Sequence, residues 1–222
     1  MSNPWLAVPH CFPYVLPCDR RLVCEYNATH RSKNHQLQLN ALPEPFVGST
    51  TAPVVLLGLN PGFDDRDPRV HKRSAFQSIV RSNFRHGRLE FPFFYLDPRL
   101  SRTPGGEWWN KRLKWLLQIF DRKALARSIC CVEYFPYHSR QFGCQNVRLC
   151  SQDYGFDLVR SAIKRGALMV IMRGAHEWTQ KVKGLKGRTL QLNSWQNVAL
   201  SPHNFEGQGF KKVVSAICQS LC

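Results

Sequence analysis

Three polar side chains that could take part in chemistry closely follow apolar runs of the sequence. Asn60 and Glu133 come after runs at 54–57 and 129–132, and His203 comes after a later run. A carboxamide can hold a water molecule but is not a strong base, a carboxylate accepts hydrogen bonds from amino groups, and an imidazole changes its protonation near neutral pH. These residue types therefore suit hydrogen-bonded positioning of a ligand or of a water molecule.

Four apolar runs predict the strands that position these side chains. They lie at 54–57, 129–132, 168–172 and 197–200. Continuous runs of this length suit parallel strands that are buried on both faces. Apolar residues at helical spacing predict helices at 76–84, 107–120, 156–163, from 175 onward and at 210–221. This alternation predicts an α/β fold with a central four-stranded parallel sheet flanked by helices on both faces, which binds ligands at the carboxyl ends of its strands.

The composition indicates a strongly basic globular domain. The chain has 222 residues, 43% of them hydrophobic, and its 31 Lys and Arg residues against 15 Asp and Glu residues give a formal net charge of +16. The length suits one domain with a real core, and the charge indicates a polyanionic partner, most commonly nucleic acid. A generic cationic surface is the alternative.

Residues 1–50 differ from the rest of the chain. They are rich in proline and histidine and lack clear periodicity, so we interpret them as an N-terminal extension packed on an α/β domain at 51–222. The sequence has no apolar run of about 18 residues, the length of a membrane span, and no secretory signal. We therefore expect a cytoplasmic, intracellular monomer without a membrane partner.

The nine cysteines include no Cys-x-x-Cys pair, so a zinc ribbon or knuckle is not indicated. An intracellular location predicts that the thiols are mostly reduced. We therefore expect buried or idle thiols, with no bound metal and no cofactor.

Three segments at predicted strand ends resemble, in the same order, motifs of the uracil-DNA glycosylase superfamily. Gly58-Leu59-Asn60-Pro61-Gly62 resembles the first catalytic motif, in the form found in the mismatch-specific and single-strand-selective branches. Met172-Arg173-Gly174-Ala175-His176 resembles the family's strand end with a Trp-Gly-Ala/Ser turn. Ser201-Pro202-His203-Asn204, followed by Gly209-Phe210, resembles the second catalytic loop. The resemblance covers residues 50–222 and implies the family's three-layer sandwich.

This resemblance implies a monofunctional DNA glycosylase. Such an enzyme extrudes a base from the stack, hydrolyses its N-glycosidic bond and leaves an abasic site, and it needs no metal. Asn60 would orient the hydrolytic water, so catalysis would depend on positioning rather than on a strong base. The alternative for Asn60 is a side chain that stabilises a turn. Some families of the superfamily carry a four-cysteine iron–sulfur cluster, for which the cysteine spacing here would be unusual.

Two departures from the family pattern concern the substrate. Gly62 stands where the uracil-specific branch has a bulky tyrosine, which leaves room for a substituent at C5 of the pyrimidine. Glu133 stands where single-strand-selective relatives have an asparagine that reads uracil, and a carboxylate accepts hydrogen bonds from the N4 amine of cytosine. Together they suggest a 5-substituted cytosine, including the hypermodified forms of some phage genomes. The alternative for Glu133 is an ion pair with Arg173.

The second loop departs from the family pattern because no histidine directly precedes Ser201-Pro202. His203 is then the candidate that stabilises the departing base, or else it contacts phosphate. Phe205 or His203 could wedge into the base stack, and Phe63, Phe94 and Tyr95 are candidates for stacking on the extruded base. The residues expected to contact DNA, chiefly its phosphate backbone, are Ser201, Pro202, Asn204, Phe205, Lys181, Lys183, Lys186, Arg188 and Arg173. Solvated surface charge is the alternative for each of the cations.

Two classes of function follow from the sequence. The first is a DNA glycosylase that removes a damaged or modified pyrimidine, in repair or in defence against modified phage DNA. The second is a non-catalytic nucleic-acid-binding protein on the same scaffold, because a fold does not fix an activity. A plain uracil-DNA glycosylase is a further alternative within the first class.

Overall fold

The computed structural model of the chain describes residues 2–30, 32–144, 146–194 and 196–221. It contains a five-stranded sheet in the order β1-β3-β2-β4-β5. The strands are β1 (Phe46–Gly48), β2 (Val54–Gly58), β3 (Ile129–Glu133), β4 (Leu168–Ile171) and β5 (Thr189–Gln191). β2 to β5 run parallel to one another, and β1 pairs antiparallel with β3. The prediction of an α/β fold built on a mostly parallel sheet is confirmed.

Two features of the predicted sheet are wrong. The sheet has five strands rather than four, because a short strand forms within residues 1–50. The last parallel strand is β5, whereas residues 197–200 lie in an irregular segment. Val198 and Leu200 are fully buried in that segment, so their apolar character reflects packing in the core rather than a place in the sheet.

Eight α-helices surround the sheet in the described part of the chain. They are α1 (Arg20–Thr29), α2 (Asp67–His71), α3 (Ser74–Phe84), α4 (Pro104–Arg112), α5 (Arg122–Ser128), α6 (Gln152–Lys164), α7 (Ala175–Lys181) and α8 (Gly209–Leu221). Short 3₁₀ helices lie at Pro4–Ala7, Phe94–Leu96, Pro98–Leu100, Leu116–Gln118 and Pro202–Asn204. The helix predicted at 107–120 is wrong in its bounds. It begins at Pro104, where the Thr103 hydroxyl caps it by accepting a hydrogen bond from the Gly106 N–H at 3.1 Å, and it ends at Arg112.

The burial of β2 shows that both faces of the sheet are covered. Successive side chains of a strand point to opposite faces, and all five residues of β2 are buried. α6 packs against β3, and α8 packs against β2. The carboxyl ends of β2, β3 and β4 therefore emerge together at one edge of a covered sheet, where a ligand can reach them.

Residues 2–50 take part in the core. Trp5, Val15 and Val23 are buried in it, and β1 extends the sheet beside β3. The open edge of β1 is closed by Asn83, which donates to the Phe46 carbonyl at 2.8 Å and accepts from the Gly48 N–H at 3.1 Å. This pairing leaves β1 with fewer exposed backbone groups than an edge strand usually has.

A disulfide that the sequence analysis did not predict joins Cys18 to Cys150. Of the other described cysteines, Cys11, Cys24 and Cys218 are exposed and Cys130, Cys131 and Cys144 are buried, all of them free. The described residues bring no four thiols together in a metal-sized group. Among these residues, no helix combines the length and the apolar character that crossing a bilayer requires.

Candidate active site

A cavity of about 640 Å³ opens where β2, β3 and β4 end. Its lining comes from the loop after β2, from Glu133 at the end of β3 with the loop that follows, from Arg173 and Gly174 after β4, and from the beginning of α4. The volume is within the range of about 300–1,000 Å³ that is typical of small-molecule sites. Asn60, Gly62, Phe63, Tyr95, Glu133 and Arg173, all singled out in the sequence, line this one cavity.

Asn60 is held with its amide oxygen available. Its Nδ2 donates to the Pro61 carbonyl at 2.9 Å and to the Ser139 hydroxyl at 3.0 Å, and that hydroxyl donates to the Gln141 carbonyl. Both amide hydrogens are therefore used, whereas Oδ1 has no hydrogen-bond partner among the described residues. A carboxamide fixed in this way presents its oxygen to the cavity as an acceptor. A water molecule that donates one of its hydrogens to this oxygen would be held in a fixed orientation.

Glu133 lies against Gly58, the last residue of the neighbouring strand. The two residues are partners in the parallel register of β2 and β3, and a Cβ atom at Gly58 would overlap the Glu133 carboxyl. A larger residue at this strand end would therefore have to displace the Glu133 carboxyl. Oε1 of Glu133 accepts a hydrogen bond from the Cys131 thiol at 3.6 Å, and Oε2 is buried without a partner among the described residues.

Burial, and to a smaller extent the nearby carboxyl of Glu44, raise the pKa of Glu133 to about 8 against the opposing effects of Cys131 and Arg173. Arg173 is exposed and makes no ion pair with Glu133 within 4.0 Å in the described part of the chain. The ion pair considered as an alternative role for Glu133 is therefore not formed. Near neutral pH this carboxyl carries a proton for most of the time.

Glu44, Tyr95 and His138 form a second polar group in the cavity wall. The Tyr95 hydroxyl donates to Glu44 Oε1, and His138 Nε2 lies 3.7 Å from the same oxygen. The two ring nitrogens of His138 face the carbonyl oxygens of Gly62, at 2.6 Å, and Leu42, at 2.9 Å. Carbonyls only accept hydrogen bonds, so a ring nitrogen of His138 that carries a hydrogen donates to the carbonyl that it faces. His138 therefore lies beside the Glu44 carboxyl and contacts the backbone of Gly62.

One buried group of residues in the cavity wall resembles a metal site, but hydrogen bonds within the protein explain its arrangement. Ligand atoms of Glu44, His71 and His138 lie within 4.8 Å of one another. The Leu42 N–H donates to His71 Nδ1 at 2.8 Å, and His138 Nε2 faces the Leu42 carbonyl. Burial keeps the pKa of His71 well below its usual value, so this ring is neutral and acts as the acceptor for Leu42.

The rim of the cavity combines aromatic rings with charged groups. Phe63 is half-buried beneath the Arg140 guanidinium, 5.4 Å from the ring centroid, and the Arg112 guanidinium lies 4.5 Å from the ring of Trp108. Asp64 follows Phe63 and hydrogen-bonds to Arg66 at 2.9 Å, which lowers its pKa. Half-buried rings at the mouth of a cavity are suited to stacking on a planar ligand.

Two of the aromatic candidates do not lie free for stacking. Phe94 is 1% exposed and packs edge-on against Phe76, outside the cavity wall. Tyr95 lines the cavity but is 3% exposed, with its hydroxyl committed to Glu44. Trp108 was not singled out in the sequence, because the neighbouring Trp109 was the tryptophan that fitted the apolar face of the predicted helix.

The second loop lies beside the cavity rather than in its wall. Leu200 N–H donates to the Arg112 carbonyl at 2.9 Å, which ties the loop to the end of α4. Pro202 and His203 are exposed, and His203 lies edge-on to Trp115, 6.3 Å between ring centroids. Phe205 is 4% exposed and packs near Phe210, so it is a core residue and cannot act as a wedge.

Asn204 and Ser201 are buried rather than presented to a ligand. The Asn204 amide donates to the carbonyls of Asn197 at 2.5 Å and Ala199 at 2.9 Å, and its oxygen accepts from the Ser194 N–H at 3.1 Å. Asn204 therefore stabilises the loop.

Asn204→Ala is expected to lower the free energy of unfolding by about 1–3 kcal/mol, because it removes three hydrogen bonds to part-buried or exposed backbone groups of the loop. Denaturant unfolding measures this change. His203→Ala, at the exposed neighbouring position, is the control and should change stability by less than about 0.5 kcal/mol. Equal losses for the two variants would contradict a stabilising role for Asn204.

The basic residues expected at the phosphates lie on the surface. They are Lys181, Lys183, Lys186, Arg188 and Arg173, all exposed and none in an ion pair within 4.0 Å with another described residue. Arg173 is the member of this set that lines the cavity.

Comparison of the chain with protein-family models, curated proteins and solved structures gives no match. The residues that the sequence analysis missed are Glu44, Trp108, His138, Ser139 and Arg140, all of which line the cavity. Glu44, His138, Ser139 and Arg140 come from segments without a regular apolar pattern, and Trp108 lies beside the apolar stripe of α4, so only the tertiary structure brings them to the site.

Proposed function

We propose that this protein is a DNA glycosylase of the uracil-DNA glycosylase type that receives an extruded, modified pyrimidine and hydrolyses its N-glycosidic bond. The observation that carries the proposal is the convergence of Asn60 Oδ1, the Glu133 carboxyl and the aromatic rim on one cavity at the carboxyl ends of the parallel strands. A reaction of this kind leaves an abasic site and uses only groups that the chain supplies.

The position of Asn60 supports a hydrolytic role. The amide is locked by Pro61 and Ser139, so its free oxygen can hold a water molecule without reorganising during the reaction. Positioning of this kind supplies much of the rate when the leaving group departs with little help from a base. A side chain that only stabilised its turn would not need a second bond from a residue 79 positions away.

The cavity chemistry supports a base that carries an amino group. Glu44, Asp67 and Glu133 place carboxyl oxygens in its lining, and such oxygens accept hydrogen bonds from an exocyclic amine. Cytosine-type bases carry that amine at C4, whereas uracil and thymine present a carbonyl there. A 5-substituted cytosine is therefore the substrate class proposed, ahead of uracil.

The space beside Gly62 supports a substituent at C5. An added Cβ at Gly62 would meet no atom within 4 Å, and the backbone of this residue does not require a positive φ. The glycine therefore borders open space rather than a close backbone contact. We propose that this space accepts the C5 group of a modified cytosine, as in repair or in defence against modified phage DNA.

The basic surface supports DNA as the partner. A formal net charge of +16 and the exposed lysines between Lys181 and Lys186 provide the electrostatic attraction that phosphate binding needs. Binding should then weaken steeply as the salt concentration rises, because each phosphate contact releases counterions.

The test is release of a free base from DNA. The protein is incubated with single- and double-stranded oligonucleotides that contain uracil, cytosine, 5-methylcytosine or 5-hydroxymethylcytosine, and with phage genomic DNA. Mass spectrometry identifies the released base, and alkaline strand cleavage counts the abasic sites. We expect release of a 5-substituted cytosine ahead of uracil. Tight binding without release from every DNA would instead favour the non-catalytic DNA-binding protein.

A further inference from the structure

Glu133 occupies a position that contacts within the protein do not explain. Its Oε2 is buried without a partner among the described residues, and its Oε1 has only the weak Cys131 thiol as donor. A buried polar atom that is left unpaired costs about 1–3 kcal/mol of stability. A ligand in the cavity that Glu133 lines could supply the missing partner.

The groups that face Glu133 come from several segments. They are Cys131 on β3, Glu44 before β1, Tyr95 before α4 and Arg173 after β4. Burial has the largest effect on the pKa of Glu133 and Glu44 acts in the same direction, so the pKa is raised to about 8 although Cys131 and Arg173 oppose the rise. With this pKa the Glu133 carboxyl is protonated at neutral pH and can lose its proton at a slightly higher pH.

The two buried carboxyls in the cavity have different surroundings. Glu44 accepts the hydrogen bond of Tyr95 and has His138 3.7 Å away, and both favour its ionised form. The pKa of Glu44 is also raised, because burial outweighs the lowering by His138 and Tyr95, but Glu44 has these two groups to support its charge. Glu133 has no comparable hydroxyl donor. When two carboxyls share a site in this way, the proton resides on the one with the poorer support for a charge, here Glu133.

We propose that Glu133 is the catalytic acid of the reaction, passing its carboxyl proton to ring nitrogen N3 of a 4-aminopyrimidine. This inference rests on the proposed function. A protonated carboxyl presents an O–H donor beside a carbonyl acceptor, and a 4-aminopyrimidine presents the N3 lone pair beside its amino donor. Uracil and thymine carry a hydrogen on N3 and offer no acceptor there, so the same group selects the substrate class.

The step balances as an acid-assisted hydrolysis. The proton moves from Glu133 to N3, and the bond between C1′ and N1 breaks with its electron pair on the base, which departs neutral. The water held by Asn60 adds its oxygen to C1′ and loses one proton to solvent. The Glu133 carboxylate then takes up a proton from solvent, so the net reaction consumes one water molecule.

Glu133→Gln is the matched variant for this proposal. Glutamine keeps the shape, donates one N–H to N3 and accepts from the amino group, but it has no proton to transfer. We expect DNA that contains the preferred cytosine-type base to bind within about threefold of wild type, while single-turnover base release falls by about 10²- to 10⁴-fold. Wild-type release should decline as the pH rises through about 8, where Glu133 ionises, and the residual activity of the variant should lack that decline.

A substrate analogue separates proton transfer from structural support. Replacing the base by its 3-deaza form removes the N3 acceptor, so wild-type protein should slow on it about as much as Glu133→Gln does on the normal base. The variant should lose nothing further on the analogue. A Glu133→Gln protein that released base at the wild-type rate, or that kept the alkaline decline, would overturn this inference alone. Wild-type protein that released no base from any DNA would overturn the proposed function and this inference with it.

Discussion

Asn60→Ala is expected to leave DNA binding nearly unchanged and to slow base release by about 10²- to 10³-fold, the loss typical when one preorganised polar group is removed from an active site. The variant removes Oδ1, the acceptor available to a hydrolytic water, and it breaks the contacts to Pro61 and Ser139. Single-turnover release of the base and equilibrium binding of the same DNA, measured in parallel, separate chemistry from affinity.

Two further variants make this result interpretable. Ser139→Ala removes one of the two bonds that hold the amide, so it should cause a smaller loss, about tenfold, by loosening a group that remains present. Asn34→Ala removes an exposed asparagine side chain outside the cavity and should release base at the wild-type rate. An Asn60→Ala protein as active as the Asn34 control would leave Asn60 with a structural role only.

The charges of the molecule divide between its surface and its cavity. The chain carries a net charge of +16, yet Glu44, Asp64, Asp67 and Glu133 all line the cavity. The carboxyl oxygens of the cavity can accept hydrogen bonds from a neutral base with amino groups, and Arg140 and Arg173 at the same cavity can attract phosphate. Cations on the exterior and carboxyl groups in the cavity therefore suit binding of the backbone outside and of one base inside, as the proposed glycosylase requires.

The central strands could be predicted from the sequence because they are buried on both faces. Such strands are continuous apolar runs, and β2, β3 and β4 follow three of the four predicted runs. β5 is half-exposed and has a single apolar residue, Leu190, so it left no such run. β1 has only three residues and pairs with β3 across a separation of more than 80 residues, which no local pattern reveals.

The candidate site could be predicted where a polar residue directly follows a buried strand. Asn60 and Glu133 satisfy that condition, and both line the cavity. His138 and Glu44 do not, because they meet through a contact between the segment before β1 and the loop after β3. Phe94 and Phe205 show the opposite error, since an aromatic residue near a motif can equally belong to the core.

The Gly62→Tyr variant is expected to lose release of 5-substituted cytosines by about 100-fold or more, because the new ring fills the space that the C5 group would occupy. It should retain any activity on unsubstituted cytosine. The side chain would project into open space, since a Cβ at this position meets no atom within 4 Å, so folding should tolerate it. Base release is measured on paired oligonucleotides that differ only in the C5 substituent.

Gly62→Ala is the matched control for the size of the added group. Its methyl group has the same backbone consequences as the tyrosine but fills little of the cavity, so it should keep the preference for 5-substituted bases. His138 Nδ1 lies 2.6 Å from the backbone carbonyl of Gly62, a contact that does not involve the side chain at 62, so we expect both variants to keep the loop in place. If Gly62→Tyr lost activity equally on substituted and unsubstituted cytosine, the ring would be blocking the whole base, and the space beside Gly62 would not be the pocket for a C5 group.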